Sequence, residues 1–253
     1  MRTLAPEIAK LIARGALFVI NHSAGKDSQA MTSYLRGFIP RSQLLVVHAD
    51  LGAVEWDGIQ DHIRDTIDGL PLIVCRNENR DLLQMIADRG MFPSPQQRQC
   101  TSDLKRGPIE RTIRQYLKAH PEFGGLIVNC MGLRAQEGAN RAKAKVLKLN
   151  EGNSKAGREW YDWLPIHDWQ VEEVWQEIED AGQKPHPAYA LGMSRLSCVF
   201  CIMASDHDLT IAAKAKPDLY RRYVALEKST GRTMMMPRQG VPRGLEEITG
   251  IAA

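Results

Sequence analysis

Four short runs of apolar, often β-branched residues in the first half of the chain restrict its fold most. Their near-continuous hydrophobicity is typical of strands buried on both faces. Amphipathic segments with helical spacing separate the runs, so the sequence predicts an α/β fold with a doubly wound, mostly parallel sheet and helices on both faces. The four runs are Ala16 to His22, Gln43 to Ala49, Leu70 to Cys75 and Leu126 to Met131.

Composition narrows the class of protein without identifying a function. Of the 253 residues, 43% are hydrophobic and 25% are charged, which matches an ordinary globular protein and excludes wholesale disorder, collagen-like repeats and coiled coil. The net charge of +3 is too small to indicate a nucleic-acid partner by itself. The sequence has neither a run of about 18 apolar residues nor a signal-peptide run at its start, so we expect a cytoplasmic protein without a membrane partner.

The segment that follows the first strand has the chemistry of a phosphate loop. It reads S-A-G-K-D-S and occupies the junction between that strand and the next helix. Small residues there let backbone N–H groups approach an anion, and the N-terminus of the helix adds a positive dipole. Ser23 and Ser28 supply hydroxyl groups, Lys26 supplies a charge, and Asp27 is expected to cap the helix or to help hold Mg²⁺. The alternative is an ordinary serine-rich turn.

Neither a Walker loop nor a G-x-G-x-x-G fingerprint occurs in the chain, so this is a different kind of phosphate loop. It resembles the S-G-G-x-D-S loop of the PP-loop ATP pyrophosphatases, with Ala24 in place of one glycine. That superfamily cleaves ATP between the α and β phosphates to adenylate a substrate.

Further segments resemble the phosphoadenylylsulfate (PAPS) reductase branch of this superfamily, and the resemblance covers most of the chain, from about Ala16 to Tyr223. One segment, His48 to Gly52, ends the second predicted strand, and another, Leu164 to Trp169, precedes a predicted helix. A third segment, Gly132 to Gly138, follows the fourth predicted strand. It departs from the family pattern G-x-R-x-x-E-S only at its last position, Gly138.

The resemblance implies an ATP and Mg²⁺ site. Arg134 would face the phosphates or the group being adenylated, where a fixed bidentate donor stabilises shifting charge; the alternative is a surface arginine in a turn. Asp50 would contact nucleotide or Mg²⁺, or would only cap a turn. The implied catalytic residues are Lys26, Asp27 and Arg134, and the implied nucleotide-binding residues are Ser23, Ala24, Gly25, Lys26, Asp27, Ser28, Asp50 and Gly132.

The five cysteines are an odd number, which argues against a disulfide framework. Cys198 and Cys201 form a C-x-x-C pair, a spacing that suits either a metal centre or a redox dithiol. A thioredoxin-like dithiol is expected early in its own fold, whereas this pair comes late, so a metal site is preferred. Cys75 and Cys130 are assigned to the core.

The segment that begins at Cys100 resembles the stretch of assimilatory adenylylsulfate reductases that holds two adjacent cluster cysteines. Here Gln99 and Thr101 flank Cys100, so the resemblance implies a [4Fe-4S] cluster held by three cysteines, with one iron open to sulfur. Zn²⁺ is the alternative metal, with His186 or His207 as a fourth ligand. The implied metal ligands are Cys100, Cys198 and Cys201.

We expect an α/β nucleotide-binding domain at residues 1–165 and a mostly helical C-terminal region with the C-x-x-C site at 166–253, packed as one compact unit. Between them, Arg141 to Arg158 is a basic segment with few helix or strand signals. It is expected to be mobile and to contact a nucleic acid, the alternative being a solvated surface.

Three functions follow. PAPS reductases attack sulfur with a cysteine near the C-terminus, and no cysteine follows Cys201. The first hypothesis is therefore an ATP-dependent sulfurtransferase that resembles the enzymes of DNA phosphorothioation and is served by a sulfur-donor protein, as a monomer or an oligomer. The second is a PAPS or adenylylsulfate reductase. The third is a nucleotide-binding accessory protein without turnover, suggested by Ala24 and Gly138.

Overall fold

The computed structural model describes residues 4–253; the first three residues, part of the stretch expected to carry no signal-peptide run, lie outside it. The chain divides into two compact units that interleave along the sequence. The first consists of residues up to 48, 60–74 and 110–185, and the second of residues 49–59, 75–109 and 186–253.

A six-stranded sheet organises the first unit, in the order β3-β2-β1-β4-β6-β5. Strand β1 pairs in parallel with β2 and β4, and β4 pairs in parallel with β6, whereas the edge strand β5 is antiparallel to β6. The strand order reverses between β1 and β4, and ligands bind beyond the carboxyl ends of the strands at such a point. The strands are β1 (Leu17–Asn21), β2 (Leu44–Ala49), β3 (Leu72–Cys75), β4 (Leu126–Cys130), β5 (Leu147–Leu149) and β6 (Glu159–Trp163).

The predicted α/β fold with a mostly parallel sheet is confirmed. Each of the four apolar runs contains one strand, β1 to β4, and four consecutive residues of β1 are fully buried, as an interior parallel strand requires. Helices follow the strands in the positions that the amphipathic segments predict. They are α1 (Pro6–Ala13), α2 (Lys26–Arg36), α3 (Ile59–Thr66), α4 (Leu82–Arg89), α5 (Gln99–Thr101), α6 (Gly107–Ala119), α7 (Ala139–Ala142), α8 (Val171–Asp180), α9 (Asp206–Ala215), α10 (Pro217–Thr230) and α11 (Leu245–Thr249).

Two strands, β5 and β6, lie where no apolar run predicts a strand. Strand β5 lies inside the basic segment, α7 ends within it and β6 follows it directly, although the sequence there carries few helix or strand signals. The β6 sequence E-W-Y-D-W mixes charged and aromatic residues and lacks the apolar run that marks a buried strand. It is a strand because its backbone pairs in parallel with β4, and its side chains Trp160 and Trp163 are buried.

Helices dominate the C-terminal part of the second unit. The Oγ of Ser205 accepts a hydrogen bond from the N–H of Asp208 (3.0 Å) and so caps α9, while Gly231, with φ of 64°, ends α10. The hydroxyl of Tyr220 donates to the carbonyl of Ile251 at 2.6 Å, which fixes the chain end after α11 against α10. Within residues 4–253, none of the helices has the length and apolar character needed to span a membrane.

Candidate functional site

The phosphate loop joins β1 to α2 at the switch point of the sheet. Gly25 is the N-cap residue of α2, with φ of −74° and ψ of 155°. The Oγ of Ser28 accepts the N–H of Ser23 (3.1 Å) and donates to the carbonyl of Gly25 (2.9 Å), so this side chain closes the loop on itself. The first N–H groups of α2 have no partners within the helix, and their dipoles point toward the space in front of the loop.

Two buried cations share one carboxylate at the start of α2. Lys26 is 6% exposed and Arg134 is 4% exposed. The Nζ of Lys26 lies 3.4 Å from one oxygen of Asp27, and the Nε of Arg134 donates to the other oxygen at 2.6 Å. Asp27 serves as the counter-ion of both cations, beside the helix N-terminus that suits an anion.

The guanidinium of Arg134 is held from several directions. Its Nη1 donates to the side-chain oxygen of Gln136 (2.5 Å) and to the carbonyl of Trp169 (3.4 Å). Its own backbone N–H donates to Glu137 at 2.9 Å. Because the side chain is buried and fixed, the alternative of a solvent-facing arginine in a turn was wrong.

Gly132 allows the chain after β4 to come against the phosphate loop. A Cβ at this position would lie 3.1 Å from the carbonyl carbon and oxygen of Asp27 and 3.2 Å from the nitrogen of Ser28. Such contacts are tighter than nearly all real Cβ contacts, and the neighbouring atoms here are backbone, so the two segments would have to move apart by a few tenths of an ångström to admit a side chain. The close approach places Arg134, two residues later, beside Asp27.

Helix α8 contributes an aromatic residue to the site. The tryptophans of the preceding segments, Trp160, Trp163 and Trp169, are buried in the core. Trp175 is half-buried instead, and the Nζ of Lys26 lies 5.9 Å from the centre of its ring. A cation over an indole face is attracted to it, so Trp175 helps to orient the lysine. No local sequence pattern marks this contact.

Asp50 lies in the second unit, directly after β2. Its N–H donates to the carbonyl of Cys75 (2.8 Å), and its Oδ1 accepts the N–H of Gly52 (2.8 Å), as in the turn-closing alternative. It also lines a cavity of about 330 Å³ together with Arg76, Asn77 and Arg80. A role in nucleotide binding stays a prediction.

The three cysteines predicted to bind metal lie in the second unit and influence one another. Burial raises the pKa of Cys198 to about 12, with Cys201 and Cys100 adding to the shift. Burial also raises the pKa of Cys100. Burial alone would lower the pKa of Lys105, yet the three thiols and Glu55 raise it, so this ammonium group interacts electrostatically with all four of them.

The thiols nevertheless do not form a metal-binding arrangement in this conformation. Among residues 4–253, no three His, Cys, Asp or Glu side chains stand where they could hold a metal ion together. The proposed fourth ligand His186 has structural partners: its Nε2 lies 3.1 Å from the carbonyl of Asp57, and its Nδ1 accepts the N–H of Ala188. His207 is exposed.

The two remaining cysteines differ in burial. Cys130 is fully buried in β4, where burial raises the pKa of its thiol well above the usual value, as expected of a core residue. Cys75, at the end of β3, is half-buried.

The basic segment presents lysines at the edge of the sheet in the first unit. Lys143, Lys145 and Lys155 are exposed. Arg141 forms an ion pair with Glu137, and the Nζ of Lys148 lies 3.8 Å from Asp162, so part of the positive charge is locally balanced.

The sequence profile of one protein family matches residues 18–204, from β1 to the loop before α9. That profile is described as the phosphoadenosine phosphosulfate reductase domain. The chain belongs to this family. The match includes the phosphate loop, Arg134 and all three of the cysteines predicted to bind metal.

Two related proteins are themselves uncharacterised. A 37.8 kDa protein of Escherichia phage 186 is 27% identical over 183 residues, covering 70% of this chain and 53% of the relative. A protein of Methanocaldococcus jannaschii is 24% identical over 218 residues, covering 83% of this chain and 47% of the relative. This family member therefore spans about half the length of the curated relatives it matches.

Several solved structures have a similar fold at low sequence identity. The PAPS reductase of Candida auris in its phosphate complex has a TM-score of 0.48 and 12% identity, covering 78% of this chain and 97% of that protein. Candida glabrata FMN adenylyltransferase with FMN and an ATP analogue has a TM-score of 0.46 and 13% identity, covering 73% and 54%. The tRNA thiolase NcsA of Methanococcus maripaludis, with its [4Fe-4S] cluster, has a TM-score of 0.40 and 13% identity, covering 88% and 76%.

Proposed function

We propose that this family member is an ATP-dependent sulfurtransferase, which binds ATP and Mg²⁺ at the phosphate loop, adenylates a substrate and then transfers sulfur to it. The observation that supports this most is the pair of buried cations, Lys26 and Arg134, fixed on Asp27 at the N-terminus of α2. A phosphate chain entering here would take over the negative charge that Asp27 now supplies.

The first step requires positioning more than proton transfer. A substrate oxygen attacks the α-phosphorus of ATP, the new P–O bond forms, and the bond to the bridging oxygen breaks, so that pyrophosphate leaves. The N–H groups at the start of α2, with Lys26 and Arg134, would stabilise the charge that shifts onto the phosphates. In the second step, sulfur from a donor protein bonds to the activated atom, and AMP leaves with the electron pair of the broken bond.

Mg²⁺ belongs to this proposal because phosphate oxygens and a carboxylate are its usual ligands. Asp27 is the carboxylate of the first unit that would hold it, once the phosphates attract Lys26 and Arg134. When bound, Mg²⁺ would neutralise charge on the leaving pyrophosphate. Asp50 stays a sequence-based prediction for the same role.

The proposal also includes a [4Fe-4S] cluster, or alternatively Zn²⁺, held by Cys100, Cys198 and Cys201. The electrostatic interaction of Lys105 with all three thiols supports it, because thiolates bound to a metal require compensating positive charge. A cluster with three protein ligands would supply one iron position open to sulfur.

Metal analysis tests this assignment. Protein purified without oxygen is analysed for iron, sulfide and zinc, together with Cys198→Ala and the matched control Cys75→Ala. We expect iron and sulfide in the wild type and in the control, and their loss in Cys198→Ala. Zinc would replace the cluster assignment with a structural metal, and the absence of all three would contradict a metal centre.

Pyrophosphate release tests the main proposal. ATP, Mg²⁺ and a sulfide source are supplied with tRNA, DNA or mononucleotides as acceptors, and pyrophosphate is measured. Lys26→Ala should lower the rate at least about 10²-fold, the usual cost of removing one charge-stabilising donor. The exposed Lys118 provides the control, because Lys118→Ala should leave the rate unchanged. Absence of pyrophosphate with every acceptor would contradict the proposal.

A second candidate function, the reduction of PAPS or adenylylsulfate, is favoured by family membership. Sulfite formed from either nucleotide with a thiol donor would select it. Tight ATP binding with no product in either assay would select the third hypothesis, an accessory protein without turnover.

The exposed lysines suggest the acceptor. We include a nucleic acid bound through Arg141 to Arg158, since phosphate contacts by lysine produce strongly salt-dependent binding. Replacement of Lys143, Lys145 and Lys155 by glutamate should abolish binding to tRNA or DNA at low salt while ATP affinity stays unchanged. Equal binding by the variant would remove the nucleic acid from the proposal.

A further inference from the structure

A buried histidine, His22, lies between β1 and the phosphate loop, outside every motif described above. Its side chain is 2% exposed, and its Nδ1 accepts the backbone N–H of Ala24 at 3.1 Å. A ring nitrogen that accepts a hydrogen bond carries no proton, so the proton of this neutral imidazole is on Nε2. That Nε2 has no hydrogen-bond partner among residues 4–253, which leaves the bond to Ala24 as the side chain's one direct polar contact there.

The surroundings hold this imidazole in place and keep it neutral. The N–H of His22 donates to the carbonyl of Val47 (3.0 Å), and the Nδ1 of His48 donates to the carbonyl of His22 (3.0 Å). Burial, assisted by the neighbouring His62 and His48, lowers the pKa of His22 to about 3. The Nδ1 lone pair is therefore available to Ala24 throughout the neutral pH range.

Ala24 needs such a partner because of its backbone conformation. Its φ is 61°, in the left-handed region that residues with a Cβ rarely adopt, and it is completely buried. The related loops that this one resembles have a glycine here, which adopts this conformation without strain. The bond to His22 also occupies the Ala24 N–H, so the amides free to meet an anion are those that follow, at the start of α2.

We propose that His22 is a positioning residue of the phosphate loop, whose Nδ1 holds Ala24 in the left-handed conformation and thereby turns the amides of residues 25–28 toward the phosphate chain. The inference rests on the proposed function, because it assigns this loop to a nucleotide. It adds a residue outside the loop motif and explains how alanine is accommodated at a glycine position.

Four variants separate positioning from general stability. His22→Leu removes the hydrogen-bond acceptor of the Ala24 N–H. His22→Asn replaces it with a side-chain oxygen that can accept the same N–H. Ala24→Gly is made both alone and together with His22→Leu. The equilibrium Kd for ATP with Mg²⁺ is measured by calorimetry, and Tm is measured in parallel. We expect His22→Leu to raise Kd about tenfold, equal to about 1.4 kcal/mol, and His22→Asn to raise it less than about threefold. Ala24→Gly should restore most of the affinity lost in His22→Leu.

The outcomes decide the inference. An unchanged Kd in His22→Leu, with only a lower Tm, would overturn it, as would failure of both His22→Asn and the glycine rescue. If His22→Leu does not fold, NMR of wild-type protein labelled with ¹⁵N-histidine decides: an unprotonated, hydrogen-bonded Nδ1 supports the inference, and a protonated Nδ1 refutes it. If wild-type protein binds no ATP, the proposed function fails, and the NMR result still decides the role of His22 in the loop.

Discussion

Replacing Asp27 by asparagine keeps the shape of the side chain but removes the charge that two buried cations share. In the wild type, Arg134 donates to one carboxylate oxygen at 2.6 Å, and Lys26 approaches the other at 3.4 Å. Asparagine still offers one oxygen to Arg134, but its amide would point N–H groups at Lys26. Asp27→Asn therefore tests whether this carboxylate is the counter-ion of the site.

The expected magnitude follows from burial. The side chains of Lys26 and Arg134 are 8% and 5% exposed, so water compensates little for a lost counter-ion, whereas that of Asp27 is 21% exposed. Breaking one partner of a buried pair costs about 3 to 5 kcal/mol, and the partial exposure of Asp27 favours the lower end. A loss of about 3 kcal/mol corresponds to a fall in Tm of about 6 to 12 °C for a chain of this size.

The assay is urea unfolding together with thermal unfolding, each with and without ATP. In the absence of Mg²⁺, which Asp27 is proposed to hold, ATP should raise the Tm of Asp27→Asn more than that of the wild type, because its phosphates replace the missing negative charge. The control is Asp218→Asn in the exposed pair with Arg221, which should change stability by less than about 0.5 kcal/mol. Equal stability of Asp27→Asn and wild type, with equal responses to ATP, would refute this account of the site.

Three further predictions use other parts of the structure. Gly132→Ala should weaken ATP binding about tenfold, because its Cβ would meet backbone at 3.1 Å. The control Gly37→Ala should have little effect. Equal ATP affinities of Gly132→Ala and wild type by calorimetry would contradict the close approach. The hydrogen bond from Arg14 lowers the pKa of Glu159 to about 2. The ionised Glu159 therefore stabilises the folded state fully above its unfolded-state pKa near 4.5, and this stabilisation is lost as the pH falls toward 2. In acid-unfolding experiments, Glu159→Gln should not show this loss of stability between pH 4.5 and 2. With its pKa raised to about 12, Cys198 of metal-free protein should react with iodoacetamide at pH 8 far more slowly than a free thiol, and rapid labelling seen by mass spectrometry would exclude the buried environment.

The sequence by itself determined the fold class and the nature of the loop. Buried parallel strands must be apolar on both faces, so the runs that contain β1 to β4 are visible in the sequence alone. The chemistry of the phosphate loop is equally local, because six consecutive residues at the junction of a strand and a helix supply its amides, hydroxyls and lysine. Family membership confirms that the resemblance seen in these residues is real.

Strand β6 shows the limit of local patterns. Its mixture of charged and aromatic residues resembles a surface loop, and it becomes a strand because β4 offers a free edge for its backbone. The strand propensity of individual residues predicts a strand poorly where pairing with a distant strand supplies the backbone hydrogen bonds.

Only the tertiary structure decided which distant groups meet at the loop. Arg134 reaches Asp27 across 107 positions of sequence, and it does so because Gly132 lets two backbone segments touch. The placement of Trp175 against Lys26 and of His22 against Ala24 depends likewise on how the helices and strands pack. Such contacts come from burial and chain direction rather than from spacing, so no residue pattern announces them.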